Sequence, residues 1–147
     1  MTATTHALVG AAIIHRFPHL GGLLLAGLSH FPLDYLPHWD TIDTNTRRSL
    51  KAEFLITALD VLIGLGLVWL LLGPSTPPLI LFAGVFAAQL PDWLSAPYFF
   101  FKVDFPLFRW VREFQTRCHH KTPLPYGLLT QIAVVFLVFL LLGIISL

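Results

Sequence analysis

The chain has 147 residues, 56% of them hydrophobic and 12% charged, with a formal net charge of +1 and a mean hydropathy of +0.75. A soluble domain of ordinary composition carries about 25% charged residues. These values therefore exclude one and indicate a single integral membrane domain, 1–147, built of helices. The only cysteine, Cys118, excludes an intrachain disulfide.

Thr4 or Thr5 is placed to cap a first helix over 4–15, with His6 in its first turn. This apolar run falls short of the about 20 residues that span a bilayer. It is expected to be a tilted partial span or one arm of a re-entrant hairpin. The first fifteen residues hold no Lys or Arg, so no secretory signal is expected. His15-Arg16-Phe17-Pro18-His19 then breaks the helix, and a second segment covers 20–38.

That segment leads into Ser29-His30-Phe31-Pro32-Leu33-Asp34-Tyr35-Leu36-Pro37-His38-Trp39-Asp40. On a helix, His30, Asp34 and His38 share one face, and imidazole with carboxylate on one face holds a divalent metal. Pro32 and Pro37 predict a kinked or broken helix here, with freed carbonyls facing a polar cavity.

Residues 41–51 read as a water-facing loop. Residues 52–72 form the clearest span, with one ionisable group in its interior, Asp60. An uncharged turn at 73–78 is followed by a return span over 79–94, which ends in Leu90-Pro91-Asp92-Trp93. A last span covers 126–147. Between these two, residues 96–121 mix phenylalanines with Lys102, Arg109, Arg112 and Arg117, which suits the lipid headgroup layer. The expected fold is thus an all-α polytopic bundle of about five membrane segments with one interfacial segment.

Arg47, Arg48 and Lys51 make the first loop basic. Lys102, Arg109, Arg112, Arg117 and Lys121 do the same for the second, and the turn has no charge. The positive-inside rule puts both loops in the cytoplasm and the C-terminus outside, in the cytoplasmic (inner) membrane of a prokaryote. His30, Asp34, His38, Asp40, Asp92, His119 and His120 then all fall at the cytoplasmic face. A faint repeat points the same way: Ala26-Gly27 precedes Asp34 and Leu-Pro-His-Trp, and Ala83-Gly84 precedes Leu-Pro-Asp-Trp. Two parallel hairpins would carry Asp34 and Asp92 towards one axis.

Thr4-Thr5-His6, the Ser29-to-His38 stretch, Leu90-Pro91-Asp92 and His119-His120-Lys121-Thr122-Pro123 resemble motifs of the YdjM-type membrane-bound metal-dependent hydrolases. The order departs from that family, because His30 and Asp34 here precede Asp92 and His119. The resemblance implies a metal site more directly than a reaction.

The expected metal ligands are His6, His30, Asp34, Asp92 and one of His119 and His120, which point apart as chain neighbours. Zinc is the expected ion, acidifying a water for hydrolysis. Asp40 and Asp60 are candidate general bases. Arg109, Arg112 and Arg117 are candidates for an anionic headgroup, which makes a phospholipid or lipid phosphate the expected substrate. Membrane lipid is the expected partner, a homo-oligomer is allowed, and nucleic acid is excluded. Ser29 and His30 are neighbours and do not face each other. No Gly-x-Ser-x-Gly elbow, P-loop or dinucleotide fingerprint occurs. A transporter or proton relay using Asp60 and the histidines, or a non-catalytic membrane scaffold, are the alternatives.

Overall fold

The computed structural model describes residues 1–41 and 48–146. Most of the expected polar loop, Arg47 included, and the final residue of the expected last span lie outside the described residues. The described chain is all-helical. Its elements are α1 (Ala3–Arg16), α2 (Leu20–Tyr35), α3 (Leu50–Leu72), α4 (Pro78–Phe101), α5 (Pro106–Cys118) and α6 (Tyr126–Leu141), with a 3-10 turn at Gly73–Ser75.

α1 is the centre of the bundle. Every residue from Thr5 to Ile14 is buried, and α2, α3, α4 and α6 pack around it. It is too short to cross a bilayer, as its sequence indicates. It is capped by Thr2 rather than Thr4 or Thr5: the Thr2 hydroxyl accepts from the Thr5 amide. Small residues let α4 approach it closely. A Cβ on Gly10 would lie 2.4 Å from Ala88 Cβ and 2.7 Å from the Gly84 carbonyl oxygen. Such contacts suit helices that associate by close packing.

The prolines do less damage than expected. α2 passes through Pro32 unbroken and stops at Tyr35, just before Leu36 and Pro37. His38 is therefore not on the helix and does not share its face. α4 likewise continues through Pro91 and Pro97 to Phe101, past the expected end at 94. Proline costs a helix one amide bond, and tertiary packing outweighs that loss. α4 ends at Lys102, in the left-handed region (φ 57°), and the Val103 amide reaches back to the Pro97 carbonyl at 3.1 Å. This turn directs the aromatic and basic stretch into α5, which lies on α4 and α2 through Val111 and Gln115.

Two stretches, Leu50–Ser75 and Pro78–Phe101, are long and apolar enough to cross a membrane; Tyr126–Leu141 is apolar but shorter. The polarity of the bundle is inverted. Leu24 and Leu28 on α2, Leu59 and Leu62 on α3, and Ile132 and Phe136 on α6 are exposed, whereas His6, His30, Asp34, Gln89, Gln115 and Gln131 are buried.

The close approach of α1 and α4 makes Gly10→Ala costly, by about 1–3 kcal/mol as for other overpacked cores. Gly66, on α3, has nothing within 4 Å of a built Cβ, so Gly66→Ala should be neutral or stabilising. Thermal unfolding in detergent micelles is expected to show the first variant melting below the parent and the second at or above it.

Candidate metal centre

Four elements carry imidazoles to one buried carboxylate. Asp34, on the last turn of α2, is 1% exposed. His30 precedes it by one helical turn, and its Nε2 lies 3.3 Å from Asp34 Oδ2. His6, on α1, places Nε2 3.1 Å from Oδ1 and stacks on the His30 ring with centroids 4.0 Å apart. His119, just past α5, brings Nε2 to 3.2 Å from Oδ2. His38 is fully buried beside His119, their ring centroids 5.2 Å apart. The Met1 amino group also donates to Asp34 Oδ1.

His38 and His119 meet because two extended segments run side by side. The His38 amide donates to the His120 carbonyl at 3.0 Å, and the Thr122 amide donates to the His38 carbonyl at 2.7 Å. The start of α6 presses on this pair of segments. A Cβ on Gly127 would lie 2.3 Å from the Trp39 nitrogen and 2.5 Å from the Thr122 oxygen, so only glycine fits there. The His120 amide in turn donates to the Asp34 backbone oxygen at 3.3 Å.

The hydrogen bonds on the far side of three of these rings fix their tautomers. His30 Nδ1 donates to the Ala88 carbonyl at 2.8 Å, in the turn of α4 that precedes Pro91. His38 Nδ1 donates to the Leu36 carbonyl at 2.7 Å, and His119 Nδ1 to the Gln115 carbonyl at 3.1 Å. With Nδ1–H committed to a carbonyl, Nε2 carries the lone pair in each neutral ring. Burial holds the His119 imidazole below its ordinary pKa, which favours that neutral form. In that form the His119 lone pair faces a carboxylate oxygen that is itself an acceptor. Acceptors placed this close need a cation between them. Ligands bound at 2.0–2.1 Å to a tetrahedral ion stand about 3.3 Å apart, and the observed separations of 3.1–3.3 Å match that edge. A backbone carbonyl holding the distal imidazole nitrogen is also the usual support of a metal-ligating histidine.

Asp92 stands at the edge. Its Oδ1 is 3.6 Å from His30 Nε2, and its side chain is 43% exposed. The Gln115 amide donates to Asp92 Oδ1 at 2.7 Å and lies 3.2 Å from His30 Nε2, tying α5 to both. His30 Nε2 thus stands between two carboxylates, 3.3 Å from Asp34 Oδ2 and 3.6 Å from Asp92 Oδ1.

The other candidates drawn from the sequence lie apart from the cluster. His120 is exposed, its ring against Tyr35 and its Nδ1 on the Cys118 carbonyl, so His119 is the member of the pair that faces the site. Asp60 caps α1: its carboxylate accepts from the Ala3 amide at 2.6 Å, the Thr4 amide at 3.2 Å and the Thr4 hydroxyl at 2.7 Å. Asp40 pairs with Lys121 at 3.1 Å on the rim. Arg109 is paired with Asp104 at 2.8 Å, Arg112 stacks over Phe99, and Arg117 is exposed on the last turn of α5. Ser29 bonds back to the Ala26 carbonyl of its own helix.

Glutamines complete the site. Gln131 Oε1 accepts from the Thr2 amide and from the Thr2 and Thr5 hydroxyls at 2.8–3.0 Å, and its amide donates to the Trp39 carbonyl at 2.9 Å. Gln89 donates to the Ala3 carbonyl at 3.3 Å. Amides inside apolar segments are the sequence signal for these positions, since lipid offers them no partner.

Comparison of the chain with protein-family models, curated proteins and solved structures finds no match.

The adjacent histidines are separable by substitution. His119→Ala is expected to lower affinity for a divalent ion at least about 10-fold, on the scale of damage to a metal site, whereas His120→Ala leaves it unchanged. Asp60→Asn is expected to retain metal affinity but to lower the melting temperature, with a cost of about 0.5–2 kcal/mol for a weakened helix cap. Isothermal titration and thermal unfolding of the purified variants measure both.

Proposed function

We propose that the chain is a membrane-embedded metal-dependent hydrolase that cleaves an ester bond of a lipid, with its site at one end of the helical bundle. One observation carries this reading: His30, His38 and His119 each have Nδ1 bonded to a backbone carbonyl, and His30 and His119 turn Nε2 onto the same buried carboxylate. Three imidazoles drawn from separate elements onto one buried carboxylate are more than pairing its charge requires. A divalent ion would use them, and the ligand atoms of the buried His6-His30-Asp34 group lie within 4.8 Å of one another, close enough to hold one. The nitrogen and carboxylate donors suit zinc.

Bound there, such an ion polarises an ester oxygen and acidifies a water. The chain's own groups supply the rest. Among the described residues, Asp92 is the carboxylate that touches both the cluster and solvent, which suits it to take a proton from the attacking water. Gln115 holds Asp92 Oδ1 in place and leaves the other carboxylate oxygen for that proton. The water oxygen bonds to the phosphorus or carbonyl carbon, the ester bond breaks towards the leaving oxygen, and Asp92 returns the proton to it.

The lipid assignment rests on the outer surface and on a groove. Exposed leucines and phenylalanines clothe the helices, and Leu50–Ser75 and Pro78–Phe101 have the length and apolarity of spans. Such a bundle is solvated by acyl chains. A cavity of about 790 Å³ runs along α3 and α6 over α1. It is apolar past Leu67, Leu71, Val135 and Phe136, and polar at Thr2, Thr5, Asp60 and Gln131. Thr2 and Thr5 flank His6, and Trp39, also in its wall, follows His38. An acyl chain fits this lining. The resemblance of the motifs to those of the YdjM-type hydrolases supports the metal site.

Purified protein treated with chelator and then reloaded with zinc is the test, in mixed micelles of phosphatidic acid, phosphatidylglycerol and phosphatidylethanolamine. Reloaded protein is expected to release phosphate, headgroup or fatty acid. Chelated protein and Asp34→Asn are expected to be inactive, and Val135→Trp, which fills the groove, to raise KM several-fold with less effect on kcat. A protein that binds no divalent ion, or that binds one and hydrolyses none of these lipids, would sink the proposal.

A further inference from the structure

The cluster contains more ligands than one ion uses, and they divide into two sets. The ligand atoms of His6, His30 and Asp34 lie within 4.8 Å of one another, and so do those of Asp34, His38 and His119. Asp34 is the only shared member. His6 lies on its Oδ1 at 3.1 Å, and both His30 and His119 lie on Oδ2, at 3.3 and 3.2 Å. The rings pair within each set. His6 stacks on His30 at 4.0 Å, and His38 lies beside His119 at 5.2 Å. The first pair comes from α1 and α2, the second from the two extended segments that follow α2 and α5.

His38 supplies the independent observation. Its side chain is fully buried, its Nδ1 is held by the Leu36 carbonyl, and its Nε2 has no hydrogen-bond partner. A buried nitrogen lone pair left unpaired is destabilising. An ion held by His6, His30 and Asp34 alone leaves that cost in place. An ion at Asp34, His38 and His119 removes it.

We infer that the site is dinuclear, with Asp34 bridging one divalent ion held by His6 and His30 and a second held by His38 and His119. This rests on the metal-site reading above and extends it. Carboxylate bridges are suited to the separation of about 3.5–4 Å at which paired ions act on an ester or phosphate. The first ion also has a further carboxylate at hand: Asp92 stands 3.6 Å from His30 Nε2. The amino group of Met1, now on Oδ1, occupies the place of the first ion and would yield to it. A paired centre also fits the expected substrate class, because two ions can hold the attacking and leaving oxygens of a phosphate ester at once.

The test is metal stoichiometry and magnetic coupling on the full-length protein in micelles, loaded with Mn²⁺ and freed of excess ion. The expected result is two ions per chain by elemental analysis, with the exchange-coupled electron paramagnetic resonance spectrum of a Mn²⁺ pair. The double variant H38Q/H119Q is expected to keep one ion and lose the coupling, and so is H6Q/H30Q. D34N loses the coupling in either case. One ion per chain with an uncoupled spectrum in the parent protein would overturn the dinuclear centre and leave the mononuclear reading standing. No bound ion would overturn both. The spectrum of the parent protein decides the matter even if a double variant fails to fold.

Discussion

A carboxylate removed from water is the constraint on which this structure turns. Burying an unpaired ionised carboxylate costs several kcal/mol even after the protein relaxes, so Asp34 needs compensating charge. The groups that surround it come from α1, α2, the segment after α2 and the segment after α5. Three of the four imidazoles are fixed by a bond on their other side, to a carbonyl of Ala88, Leu36 or Gln115. The helices are therefore held in register by a centre that is complete only when a positive charge lies within it. The Met1 amino group supplies one unit of it in the structure, and a divalent ion would supply two.

The position of α1 follows from the same economy of polar groups. A helix buried on all sides, with its start inside the bundle, has amide groups that no water reaches. Asp60 on α3 takes the Ala3 and Thr4 amides, and Gln131 on α6 takes that of Thr2. A carboxylate at a helix start is also favoured by the helix dipole. This arrangement locks the first turn of α1 to two outer helices, and His6 rides on that turn. Asp60 thus serves the fold by fixing the start of α1. Gly10, Gly84 and Ala88 then let α4 close against α1, which brings the Ala88 carbonyl to His30.

Much of this was legible in the residues themselves. The His30–Asp34 spacing is a helical one, and the helix forms. Ionisable groups in an apolar chain are costly, and His6, His30, Asp34 and Asp92 do come together. The positions that sequence reasoning placed differently share one physical cause: they depend on tertiary contacts. The helix through Pro32 persists because packing outweighs one lost amide bond. His38 reaches the cluster by the extended pairing of 38 with 121, and not by helical periodicity. His119 was inseparable from His120 in sequence because only the path of the chain after α5 decides which of two neighbours points inward. Asp60 looked like a functional group because buried acids often are; its role in capping needed the neighbouring helix to be seen. Gln115 and Gln131 carry no charge and so escaped a search built on ionisable residues.

The distribution of polar groups along α1 bears on how the site works. His6 lies at the start of α1, beside Asp34. Beyond it the helix meets Val68, Leu72, Leu81, Val85 and Phe139, which with Ala7, Leu8, Ala11 and Ala12 form one apolar cluster. His15, about 13 Å further along by the rise of a helix, bonds to Thr76 at the turn between α3 and α4. A proton or ion moving through the bundle would have to cross that apolar layer without a polar group to hold it, at the cost of stranding a charge in a low dielectric. The cluster, by contrast, meets solvent directly at Asp92 and partly at His119. A centre open at one end and sealed by leucine and valine at the other favours chemistry on a molecule that arrives and leaves by the same face over passage from one side to the other.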